Sequence, residues 1–296
     1  MVKDKSPGNR IFNIVNTIIM IIVIILTLYP FWYSVVGSLN DGLDFAKGGV
    51  YVWPREFTLD NYTALFSDIA LVKAFGVTFA RTVVGTVTHI IFTSMFAYAF
   101  SRRNLKFKNF YGAIGLMSMY LSGGLIPYFL LINALGLYDS FWVYIIPWLF
   151  SFWDAIIFRN FFSDLPEALI ESAKIDGASE WRVFFQIVLP LSKPVVAAIA
   201  LFTAVGHWNS YYDSMLYTLD SNLQTVQLYI LKLIKSTEAS LLLQNMSMTT
   251  KVTRKTVSTT TLQMAAMVAA SLPVICIYPF VQKFFIKGMF IGSVKG

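Results

Sequence analysis

Glu171-Ser172-Ala173-Lys174-Ile175-Asp176-Gly177-Ala178, running on to Ile187-Val188-Leu189-Pro190, is a charged island between two long apolar segments. Just upstream, Asp164-Leu165-Pro166-Glu167 reads as a helix start. Asp164 is placed to accept from orphan amides, Pro166 falls in the first turn where a missing N–H does no harm, and Glu167 sits at the capping-box position. Gly177 is the expected stop, because glycine takes positive φ without a Cβ penalty. A second short helix is expected from near Ser179, closed by Pro190, with Trp181, Phe184, Phe185 and Val188 at helical spacing and Glu180 and Arg182 elsewhere. The spacing predicts a helix–turn–helix at a membrane surface, with one greasy face on its own bundle and one polar face toward a soluble partner. On periodicity alone, an ordinary cytoplasmic loop with amphipathic helices has the same signature.

Composition explains why such an island stands out. Of 296 residues, 56% are hydrophobic and 13% charged, against about 25% charged in soluble domains. This describes a polytopic membrane protein. Six stretches reach the roughly 20 apolar residues a span requires: about 12–36, 75–100, 110–132, 141–162, 194–219 and 262–285. The fifth is the weakest, since its apolar run ends at Val205 before Gly206-His207-Trp208-Asn209-Ser210-Tyr211-Tyr212-Asp213. The run from Ile11 to Val36 is too long for a signal sequence and is expected to stay as an uncleaved first span.

The net charge of +7 does not point to nucleic acid, because the basic residues flank apolar segments. With the N-terminus inside, Lys3, Lys5, Arg10, Arg102, Arg103, Lys106, Lys108, Arg159, Lys174, Arg182, Lys193, Lys283, Lys287 and Lys295 fall on the inner side. That is 14, against eight in the longer outer loops. Both termini and the island are therefore expected in the cytoplasm.

Within the spans, Arg81 lies near an outer end and is expected to snorkel, while His89 is expected to be a hydrogen-bonded core histidine rather than a substrate contact. Gly123-Gly124 and Pro127 permit a kink or close helix approach. Asp154 and Arg159, five residues apart, suggest an internal pair, a contact with the island or a transport role. The outer loop 37–74 reads as a folded segment with a short helix around Asp60-Asn61-Tyr62, and Cys276, the lone cysteine, as a small core residue.

The island's residues also carry a resemblance. Glu171-x-Ala173, three residues, Gly177, nine residues, Ile187, then Leu189-Pro190 resembles the EAA loop of ABC importer permeases, with Ser172 where the family most often has alanine. The six segments and the tail from Lys287-Gly288 to Lys295-Gly296 resemble the maltose-type carbohydrate permeases over the whole chain. The resemblance implies an all-α, type I importer permease fold with a cytoplasmic coupling helix. It divides the chain into 1–74, an N-terminal transmembrane helix and external loop, and 75–296, the transporter's transmembrane domain. The second part holds a coupling loop at 163–190, an external loop at 220–261 and a cytoplasmic tail at 286–296 that touches the ATPase or is a disordered end.

The implied partners are a second homologous permease, an ATP-binding cassette ATPase dimer that binds ATP and Mg, an extracellular solute-binding protein, a sugar and the bilayer of a bacterial cell membrane. Glu171, Ser172, Ala173, Asp176, Gly177, Ala178, Leu189 and Pro190 are the ATPase-coupling residues on this reading, with no cofactor on this chain. Trp208, Asn209, Tyr211, Tyr212 and Asp213 combine amide, carboxylate and aromatic groups suited to a sugar path, at about 20–28 Å along a continuous fifth span. Membrane anchoring and helix–helix hydrogen bonds use the same residue types, and in this family one of the two permeases can contact sugar far less than the other. The pattern looks closest to permeases for oligosaccharides from plant or algal polysaccharides, uronic-acid-rich ones included.

Other classes lack their chemistry. There is no Gly-rich phosphate loop and no His-Glu-x-x-His, so no catalytic or metal site is expected. An ion-coupled secondary transporter calls for intramembrane acids on several helices and usually an internal repeat; only Asp154 and Asp213 qualify, and no repeat is visible.

Overall fold

The computed structural model describes residues 7–246 and 257–292, and the described residues form helices joined by turns and loops, with no strand. In chain order the helices are α1 (Pro7–Ser38), α2 (Gly42–Ala46), α3 (Asp60–Ser67), α4 (Ile69–Ser101), α5 (Lys108–Tyr120), α6 (Leu125–Ala134), α7 (Phe152–Ser163), α8 (Glu167–Ile175), α9 (Glu180–Val183), α10 (Leu189–Leu191), α11 (Lys193–Asn209), α12 (Tyr212–Tyr217), α13 (Val226–Met246) and α14 (Thr259–Gly292). Helices α1, α4 and α14 are each long and apolar enough to cross a membrane. Three bent pairs raise the count to six if each is one span: α5 with α6 at 115°, the turns Phe141–Trp148 with α7 at 47°, and Glu180–Leu191 with α11 at 83°.

These breaks correct the expectation of continuous spans, and each has a local cause. The third span divides at Gly123-Gly124. The fourth opens as 3₁₀ turns, because Pro147 supplies no N–H and the hydroxyl of Ser151 accepts from the N–H of Asp154 at 3.2 Å to start α7 afresh. In the fifth, the 83° bend falls at Ser192, ahead of α11, and α11 itself stops at Asn209, a further break. There Ser210 donates to Asp213 Oδ1 at 2.9 Å and that oxygen also accepts from the Ser214 N–H at 3.0 Å, so a side chain replaces the helical ladder. Distance along an unbroken helix therefore does not apply beyond Asn209.

The chain clusters into two compact units. One holds residues 1–69 and 230–272. Here α1 leaves apolar side chains such as Ile25 and Leu26 exposed, as a helix meant for lipid or another subunit does. Its outer segment is folded by buried Asn61, which donates to the carbonyls of Ser38 and Asn40 at 2.9 Å each and accepts from the Thr261 hydroxyl at 2.8 Å. Asp44 accepts from Arg55 Nε at 3.0 Å, and this bond above all, with one from Asn40, holds the Asp44 carboxyl below its ordinary range. The expected short helix around Asp60 is α3.

The other unit holds residues 70–229 and 273–296. Its main core joins α4 (Ala97, Tyr98), α7 (Phe158, Phe162), α8 (Ile170), the turn after α9 (Phe184, Val188) and α11 (Val195, Ile199). Cys276 is exposed, not a core residue, since its helix turns that face outward. Residues 1–6, 247–256 and 293–296 lie outside the described residues, as do the side chains of Pro7, residues 237–246, Tyr278 and those from Phe280 onward; the expectations for Lys3, Lys5 and the tail fall there.

Candidate functional site

The island folds into an elbow. Asp164 does not cap α8; it closes α7, its N–H bonding to the Phe161 carbonyl at 3.2 Å, and Pro166 stands at the N-cap of α8 without a side-chain bond. At the other end the reading of Gly177 holds. Its φ is +78°, its N–H meets the Lys174 carbonyl at 3.0 Å and the Ala178 N–H reaches back to Ala173 at 2.9 Å. This is the paired bonding of a Schellman turn, and it fixes the angle between α8 and α9. Ser179 caps α9, accepting from the Arg182 N–H at 3.4 Å.

Pro190 does not close this helix. The winding continues to Leu191 through a wide π turn over Phe184–Val188, in which the Leu189 N–H bonds to the carbonyl five residues back, at Phe184. Proline offers no N–H to the Gln186 carbonyl and its ring displaces it, so the wider register relieves both. The π turn also divides the expected single apolar face. Phe184 and Val188 are buried, whereas Trp181 and Phe185 are exposed and stacked on each other with ring centroids 6.1 Å apart.

The outward surface of the elbow carries Glu171, Ser172, Ile175, Asp176 and Gly177, with Ile175 86% exposed. Ala173 and Ala178 pack inward on the core with Leu189, while Pro190 is exposed. Beside it lies a hollow of about 770 Å³ bounded by Arg102, Arg103, Glu167, Glu171, Lys174 and Glu180. Glu180 accepts from the Tyr98 hydroxyl at 2.6 Å and pairs with Lys174 at 2.5 Å. Lys174 first and Tyr98 second hold its carboxyl below the ordinary range.

Deeper in the same unit is a groove of about 1240 Å³. Its walls come from the α5–α6 break and α6 (Ser122, Gly123, Gly124, Tyr128), the turn before α7 and the first turn of α7 (Trp148; Trp153, Asp154), and the α11–α12 break with the start of α12 (Ser210; Tyr212, Asp213). Of the five residues expected along a sugar path, Tyr212 and Asp213 line this groove. Trp208 is buried with its ring 6.4 Å from that of Phe75, and Asn209 and Tyr211 are exposed outside it.

Two pairs frame the groove, one buried and one half-buried. Arg81 does not snorkel: it is fully buried, donates to Asp213 through both terminal nitrogens at 3.1 and 2.5 Å, and lies 4.4 Å over the Tyr144 ring. His89 is the hydrogen-bonded core residue expected, with Nδ1 2.7 Å from the Trp148 carbonyl and Nε2 3.1 Å from Asp154. Asp154 thus pairs with His89 and not with Arg159, whose guanidinium sits 5.3 Å from the Phe100 ring. His207 packs against Gly85, where a Cβ would come within 2.4 Å of its ring, so that glycine is set by close approach. Sequence reasoning missed Tyr128, Trp153 and Ser122 as groove residues; the flagged Gly123-Gly124 was the one signal that the backbone opens there.

Comparison with known proteins places this architecture. Residues 6–291 match the family described as "binding-protein-dependent transport system inner membrane component". Protein LplC of Bacillus subtilis is 39% identical over 99% of this chain and 97% of its own length. The polygalacturonan/rhamnogalacturonan transport system permease protein YtcP of the same organism is 35% identical over 97% and 99%. A chain of a bacterial ABC transporter involved in import of the acidic polysaccharide alginate superposes with a TM-score of 0.86 at 29% identity, covering 96% of this chain and 100% of that one. The chain belongs to the binding-protein-dependent transport system inner membrane components, the permease subunits of ABC importers, which are transport subunits and not enzymes.

Proposed function

We propose that this permease imports an oligosaccharide and that its elbow, Glu171 to Pro190, docks the ATPase that drives it. The observation that carries the reading is the elbow's division of labour. One side is fixed into the core by Ile170, Val183, Phe184 and Val188, while Glu171, Ile175, Asp176 and the Trp181–Phe185 stack face outward. An exposed Ile–Trp–Phe surface beside an acidic handle is what a groove on a soluble partner can grip. Because the inner side is locked to α4, α7 and α11, force applied outside reaches the transmembrane helices. Glu171 is the charge handle, able to pair with a basic group; Ser172, Ala173, Asp176, Ala178, Leu189 and Pro190 set the elbow's shape around Gly177.

ATP and Mg belong to the partner ATPase dimer. A second, homologous permease completes the path, and an extracellular solute-binding protein delivers the sugar. Both termini are cytoplasmic on this reading, with residues 1–74 forming the N-terminal helix and external loop and 75–296 the transmembrane domain. The groove offers exposed rings at Tyr128, Trp153 and Tyr212 for sugar CH faces and hydroxyl partners at Ser122 and Ser210. Relatives named for polygalacturonan and alginate transport favour an oligosaccharide from plant or algal polysaccharide. The ion-coupled alternative recedes on two grounds: the family is binding-protein-dependent, and the two candidate acids, Asp154 and Asp213, are engaged by His89 and Arg81.

The test is purification of the chain with its permease, ATPase and binding protein, followed by ATPase measurement with oligogalacturonides and with neutral galactan fragments. Stimulation by one of them is expected. A complex that assembles without any ATPase, or hydrolyses ATP indifferently to every saccharide, overturns the reading.

A further inference from the structure

Among the described residues, the Tyr98–Glu180 bond joins the elbow to α4 itself, beside an exposed Arg103–Glu167 pair at 3.5 Å just past the end of that helix, and neither Tyr98 nor Glu180 belongs to the EAA pattern. Tyr98 stands one turn before the end of α4, its ring buried, 5.3 Å from the Phe184 ring and with the Arg102 guanidinium 4.4 Å above it. Its hydroxyl donates to Glu180 at 2.6 Å, and the other oxygen of the same carboxylate takes the Lys174 ammonium at 2.5 Å. One carboxylate therefore joins three pieces: the last turn of α8, the first residue of α9 and the inner end of α4. The Lys174–Glu180 bridge spans the Gly177 turn and closes the elbow. The Tyr98 bond fastens the closed elbow to a transmembrane helix.

The rest of α4 shows what that fastening can move. Towards its other end the same helix holds Asp213 through Arg81, and midway it holds Asp154 through His89. Both acids line the groove. Displacement of α4 thus acts directly on two groove walls. We infer that Glu180 and Tyr98 are positioning residues that tie the docking elbow to α4, so that the two move as one body when the ATPase closes and the groove follows. The inference rests on the docking reading above and adds to it a named route from elbow to groove.

The variants separate the two bonds. Tyr98→Phe keeps the buried ring and removes only the link to α4. Glu180→Gln still accepts from Tyr98 but weakens the bridge to Lys174, and Glu180→Leu removes both. Spin labels at Asn104 and Gln186, both exposed and outside the tie, report the distance between the end of α4 and the elbow once Cys276 is replaced by serine. The complex is held in lipid nanodiscs, with ATP alone and with ATP plus orthovanadate.

With native Tyr98 and Glu180 the distance should stay the same in both states. Tyr98→Phe and Glu180→Leu should each let it shift by about 2 Å or more on trapping, with ATP hydrolysis retained and transport per ATP several-fold lower. Glu180→Gln should fall between. If the assembled, ATP-hydrolysing complex shows no difference between variants and wild type, the tie is overturned alone. If the wild-type complex holds no ATPase, the docking reading falls and the tie with it.

Discussion

Arg81 and Asp213 illustrate what a single buried charge requires. A guanidinium with no exposed surface, two terminal nitrogens on one carboxylate and an aromatic face beneath it has exchanged water for close partners, although its Nε is left without a hydrogen bond. Removing one partner strands the other. Arg81→Met is expected to destabilise the protein by about 3–5 kcal/mol, read as a lowered melting temperature of the purified complex. Arg81→Met with Asp213→Leu should recover most of that loss. A single variant that melts like wild type would show the pair to be dispensable. Gly177 poses the converse case, a residue chosen for its backbone. Nothing stands within 4 Å of a Cβ built there, so its φ of +78° is the constraint. Gly177→Val imposes about 1–2 kcal/mol of left-handed strain on the turn. We expect the protein to remain in the membrane, with uptake abolished because the elbow no longer presents Glu171 and Ile175 at the same angle; normal uptake would count heavily against the coupling role. Asp44 gives a pH-dependent case. Its carboxyl is held below the ordinary 3.8, chiefly by Arg55, so its contribution is present above that value and lost as pH falls through the depressed one. Hydrogen exchange across residues 39–59 should stay protected as pH drops to about 4 in wild type, and Arg55→Gln should lose protection at higher pH.

At the scale of elements, the elbow's helices were legible because their signals are local. Gly177, Ser179 and the amphipathic spacing act within a few residues of themselves, and chirality and capping need no distant partner. The π turn was not legible. Pro190 suggested a stop, and only the packing of Phe184 and Val188 into the core keeps the chain winding past it. Pro190→Ala should let the turn relax to α-helical register, turning Trp181 and Phe185 relative to the buried pair. ATPase affinity should fall without loss of the protein from the membrane, as co-purification can measure. The broken spans follow the same division. Gly123-Gly124 announced one break, but the stop at Asn209 depends on Asp213, whose carboxylate is held by Arg81 from another helix.

For the whole molecule, hydropathy and charge distribution determined an all-helical membrane protein and marked the elbow as its exceptional segment, because apolar length, basic flanks and turn residues act through solvent and backbone alone. The tertiary structure decided the rest: that Arg81 is buried rather than snorkelling, that Asp154 answers to His89, that the groove takes Tyr128 and Trp153 together with Tyr212, and that Glu180 meets Tyr98. These partners lie far apart in sequence, 82 residues in the case of Tyr98 and Glu180. Helical periodicity says which side of a helix is polar, but which polar group it meets depends on where two helices cross, and packing alone sets that.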